Sequence, residues 1–149
     1  MNSEIAIDQI KRGLKIGKEN KFIDWGKSFT ELINDVEIFN IDENGRHYIF
    51  FGEKEIFPNI ILGLYTPFDN CHENFNDTTL NHVGQNLNLK DIEILIEKLI
   101  SLFGNPIEKD DSYGIYRKWR INDITIEIIP RSHHGSDWNA IIIKKESCL

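Results

Sequence analysis

The stretch "LKDIEILIEKLISLFGNP" (residues 89–106) most narrows what this chain can fold into. Ile92, Leu95, Ile96, Leu99 and the pair Leu102-Phe103 recur at helical spacing, so the helix they predict has an apolar face that needs a covering layer. Asn88 is placed to cap its start, Asp91 and Glu93 sit where the helix dipole favours anions, and Gly104 followed by Pro106 ends it. Three strand-like segments follow: "YGIYRKWRI", then "ITIEIIP" after the tight Asn122-Asp123 turn, then "WNAIIIKK" after the loop "RSHHGSD". "TIEII" alternates as a half-buried strand should, and alternation puts Trp119 on the core face with Ile115 and Ile121. Such strands and such a helix supply each other's missing layer.

The first half uses the same grammar. A helix is predicted over residues 4–12. Ser28 with Glu31 forms a capping-box pattern opening a helix over Phe29 to Asp35. Asn44-Gly45 is a strong two-residue hairpin signal, because both positions of its turn need positive φ. "FPNIILGLYTPF" reads as a further strand bounded by Pro58 and Pro67. The expected fold is α+β: antiparallel sheet with helices on one face, with an αβββ–αβββ pseudo-repeat suggested by the order of elements. The 149 residues suit a single domain. Its halves would be 1–68 and 86–149, joined by a long acidic polar loop, "DNCHENFNDTTLNHVGQNLN".

Hydrophobic residues at 40% and charged residues at 28% fit a folded chain. The formal net charge of −7 argues against nucleic acid and anionic membranes as partners and suits a basic protein partner. The one positive region read from the sequence is Lys11, Arg12, Lys15, Lys18 and Lys21, and no Lys or Arg occurs from Glu55 to Leu89. The start has no apolar signal core and no run is long enough to span a bilayer, so the cytoplasm is the expected compartment. Cys71 and Cys148 make no CxxC, and a disulfide framework is not expected.

Several clusters invite a chemical reading. Cys71, His72, His82, His133 and His134 are metal-ligand types, but no pair has the two-to-four-residue spacing of a zinc site, and adjacent histidines on a strand face opposite ways. Ser132, His133, His134, Ser136 and Asp137 include the residue types of a catalytic triad, yet triad members converge from separate elements. Asp110-Asp111 looks like a turn. No phosphate loop or GxSxG elbow is present. The expectation is therefore a non-enzymatic binding protein without metal or cofactor. The competing reading is a small enzyme or metal-binding domain using His133, His134, Asp137 and Cys71-His72. A third is an assembly domain forming a homodimer through an exposed sheet edge.

"WGKSFTEL" (25–32) resembles the W-G-x-S-x-E-hydrophobic element that opens many small bacterial α+β proteins of toxin–immunity loci. "LIEKLISLFGNP" with the later "YRKW" resembles their second unit. The resemblance covers these two short stretches. It implies a small, acidic, cytosolic protein that neutralises a cognate toxin by occluding its active site, and it carries over no functional residue. On that reading the expected partner surface is Asp42, Glu43, Asp69, Glu73 and Asp77, with His133 and His134 on the rim.

Overall fold

The computed structural model describes residues 2–32, 34–36, 38–41, 47–66, 80, 82–133 and 136–146. Two compact units result, one formed by residues 1–11 and 84–149, the other by residues 12–83. The fold is α+β, mostly antiparallel strand with few helices. The elements are α1 (Asn2–Arg12), β1 (Gly13–Lys15), β2 (Phe22–Asp24), α2 (Phe29–Leu32), β3 (Ile38–Ile41), β4 (His47–Phe57), β5 (Ile60–Tyr65), β6 (His82–Leu87), α3 (Leu89–Phe103), β7 (Ile107–Asp111), β8 (Gly114–Ile121), β9 (Ile124–His133) and β10 (Ser136–Lys145).

In the first unit the strands lie in the order β6-β10-β9-β8-β7. Alternation sorts β9 into two faces. Ile124, Ile126 and Ile128 are fully buried, and across the ladder Ile126 faces Trp119 on one side and Ile143 on the other. Helix α3 packs on this unit through β10 and buries Ile92, Leu95, Leu99 and Leu102, positions three or four residues apart. Burying each such side chain contributes about 1.5–3 kcal/mol. The helix starts where expected: the Asn88 side chain accepts the N–H groups of Lys90 and Asp91 at 3.1 and 3.2 Å. It ends at Gly104 (φ 84°), whose N–H donates to Ile100 O. Trp119 is buried, and its indole N–H donates to Gly104 O at 2.8 Å, tying the sheet to the end of the helix. Helix α1 buries Ala6 and Ile10, one turn apart, and its Ser3 hydroxyl donates to Ser101 O at 3.2 Å.

In the second unit, β3, β4 and β5 are neighbours in that order and antiparallel, and β1 and β2 form a separate two-stranded ribbon. Gly52 (φ 76°) lies at one of the two register shifts of β4. Ile41 pairs with His47, so β3 and β4 form the expected hairpin, while its turn, 42–46, lies outside the described residues. Ser28 behaves partly as the capping box predicts. Its hydroxyl accepts the Glu31 N–H at 3.4 Å and donates to the Glu31 carboxylate at 3.2 Å. The helix it opens, α2, runs only from Phe29 to Leu32.

Three expectations need correction. Residues 82–87, read as the end of a long loop, form β6: Gly84 comes so close to β10 that a Cβ would lie 3.0 Å from Ile141 O, an approach that a scan for β-branched residues does not register. Asp110-Asp111, read as a turn, is the end of β7, whose polar sequence suits an exposed edge strand. The loop "RSHHGSD" is mostly strand, because Ser136 pairs with His133 and Asp137 with Ser132. A consequence of the second correction is that α3 is followed by four strands, not three.

Candidate protein interface

β7 ends its sheet and, among the described residues, pairs only with β8. All five of its residues are exposed, and three of them are acids: Glu108, Asp110 and Asp111. Glu108 is bridged by Arg117 Nε at 3.0 Å. The Lys109 ammonium sits over the Tyr116 ring, 5.9 Å from its centroid, and so lies away from Asp110. The Asp111 carboxylate accepts the Tyr113 N–H at 3.4 Å and shapes the turn into β8, where Gly114 has φ 150°. The same hairpin exposes large apolar side chains: Ile107 is 69% accessible, Tyr113 58% and Ile115 40%. Ile115, expected on the core face beside Trp119, is thus partly in solvent, next to the edge residue Asp110. An unpaired strand edge, acids on it and apolar side chains beside it are the components of a protein-docking surface.

The sheet face opposite Trp119 is not neutral. Arg120 faces Thr125 and Lys118 faces Glu127 on β8–β9, while Lys144 faces Thr125 on β10, so cations distant in sequence gather there. At its centre Glu127 accepts the Tyr116 hydroxyl and Lys144 Nζ, the latter at 3.1 Å. Burial alone would raise the Glu127 pKa, but those two hydrogen bonds and the nearby Lys144 and Lys118 charges outweigh it and hold the carboxyl below its usual range. Burial, then the bond to Glu127, pushes the Tyr116 hydroxyl up. Both groups keep their ordinary charge at neutral pH, which makes the cluster a structural tie.

In the second unit two cations of the basic segment, Arg12 and Lys21, are ion-paired. Arg12 bridges Asp24 at 2.9 Å and lies over the Phe22 ring, lining a shallow groove of about 540 Å³ with Trp25, Lys27 and Glu31. Asp35 accepts Lys21 Nζ at 2.5 Å and Lys27 Nζ, and its backbone oxygen accepts the Lys18 N–H. The hydrogen bond from Lys21, then that from Lys27, holds the Asp35 carboxyl below its ordinary range. A lowered folded-state pKa makes the contribution complete above the unfolded value near pH 4, and it is lost as pH falls through the lower folded value. Asp35→Asn is expected to cost about 1–2 kcal/mol at pH 7, kept modest by solvent screening. The difference from wild type should shrink below pH 4, as urea titrations at both pH values will show.

None of the nominated residues that the structure describes lies on this hairpin. Asp42, Glu43, Asp69, Glu73, Asp77, Cys71, His72 and His134 lie outside the described residues. His133 is the last residue of β9, Asp137 is exposed on β10, and His82 is half-buried on β6. β8 was read as a strand, but β7 was missed because four of the five residues of "IEKDD" are charged and weak in β-propensity.

Comparison with known proteins returns no matching family model, no matching curated protein and no matching solved structure. No described helix is long and apolar enough to cross a membrane.

Proposed function

We propose that this chain is a non-enzymatic protein-binding domain whose partner is basic, and that it acts as an immunity protein that blocks a cognate bacterial toxin by occluding its active site. The observation that carries the reading is the β7–β8 hairpin: a fully exposed edge strand with acids at three of five positions beside exposed Ile107, Tyr113 and Ile115. The net charge of −7 supports it, since opposite potentials steer encounter with a basic partner and suppress wrong pairings. The likeness of "WGKSFTEL" to toxin–immunity proteins narrows the partner to a toxin domain.

The test is genetic and physical together. The product of the adjacent open reading frame should arrest growth when expressed alone, and co-expression of this chain should restore growth through a stable complex. A neighbour belonging to a biosynthetic operon, with no toxin bound, would sink the proposal.

A further inference from the structure

We infer that β7 receives its partner by strand addition: an extended basic segment pairs antiparallel with the outer edge of Ile107–Asp111. This rests on the proposed function and specifies how the same surface works. Three observations carry it.

The first is backbone supply. β7 is the terminal strand of its sheet, and in an antiparallel ladder every second residue turns its N–H and C=O away from its neighbour. Those groups form a template for another strand.

The second is charge. Pairing with a second copy of β7, centred on Lys109, would set Glu108 against Asp110 and Lys109 against its own copy. Sliding either strand by two residues sets Glu108 or Asp110 against itself. Like charges directly opposite each other are destabilising. The edge therefore repels its own copy, and it favours a strand with cations opposite Glu108 and Asp110.

The third is the flank. Ile107 is on β7 itself and exposed, and it offers apolar contact to the side chains of an added strand that share its face.

The experiment uses the full chain and short synthetic peptides, read by fluorescence anisotropy at low salt. The probe alternates lysine with valine; an acidic control alternates glutamate with valine. Two further versions of the lysine peptide are N-methylated on one or the other alternating set of backbone amides, which removes hydrogen bonds while keeping charge. The lysine peptide should bind and slow hydrogen exchange of the β7 amides. One methylated version should lose binding while the other keeps it, and Asp110→Lys should weaken the lysine peptide by about threefold or more.

Equal binding by the unmodified peptide and both methylated versions overturns strand addition while leaving a basic partner intact. Equal binding of the acidic control contradicts the basic-partner reading itself. Absence of binding by every peptide overturns the inference. So does a wild-type dimer that the peptide dissociates, which would assign the edge to a second copy.

Discussion

Gly13→Ala should destabilise the unit formed by residues 12–83 by roughly 3 kcal/mol or more, the upper end of what overpacking costs. A Cβ at Gly13 would lie 1.9 Å from Ile23 O, 2.7 Å from Ile23 C and 2.8 Å from Asp24 Cα. All three are backbone atoms, so no rotamer change relieves the clash, and β1 and β2 must separate. The ribbon between them pairs Gly13 with Asp24 and Leu14 with Ile23, and both apolar side chains are buried. Moving the strands apart therefore opens the core as well as the ladder. Gly26→Ala is the control. Gly26 has φ 85° and open space around its missing Cβ, so the substitution meets only backbone strain of about 1 kcal/mol. Urea denaturation should separate the two variants clearly. Equal midpoints would show that β1 and β2 do not approach as described.

Trp119→Ala should cost about 3–5 kcal/mol in the other unit, the usual loss when a buried aromatic is truncated. The indole is almost wholly enclosed and pairs across the ladder with Ile126. Its N–H satisfies Gly104 O just past the end of α3, so truncation also leaves a helix-end carbonyl without that donor. Trp119→Phe separates the two contributions. It keeps most of the apolar volume and loses the donor, and about 1–2 kcal/mol of the total should remain with it as the hydrogen-bond share. If Trp119→Phe is as damaging as Trp119→Ala, the loss common to both, the bond to Gly104, dominates this contact rather than apolar volume.

These two residues also show what a reader of the sequence can and cannot see. Trp119 was foreseen in the core, because period-two alternation is a local property of "YRKWRI". Helix α3 was foreseen from its apolar spacing and its Asn88 and Gly104 ends for the same reason. Gly13 follows directly on the helix expected over residues 4–12, and its contact with Ile23 depends on a strand pairing that no local pattern encodes. β7 was hidden for a related reason: an edge strand needs no apolar face, so charge replaces the usual signal. The cations around Glu127 come from two strands, β8 and β10, and are near one another only after the sheet forms.

The candidate site follows the same division. The expectation of an acidic partner surface came from composition, and β7 supplies acids on an exposed strand. The particular acids nominated from sequence were those of the hairpin tip and the polar loop, whereas Asp110 and Asp111 were read as turn residues and Glu108 was not singled out.

The most direct measurement is calorimetric titration of the adjacent gene's product into this chain and into its Asp110→Lys/Asp111→Lys variant, each at low and high salt. Both carboxylates are exposed on the edge strand, so the double variant should still fold, losing about 1 kcal/mol with the Asp111 bond to the Tyr113 N–H. The account predicts a one-to-one complex with wild type that weakens as salt rises, and a much weaker, less salt-dependent complex with the variant. A complex of equal affinity with both proteins, indifferent to salt, would contradict it.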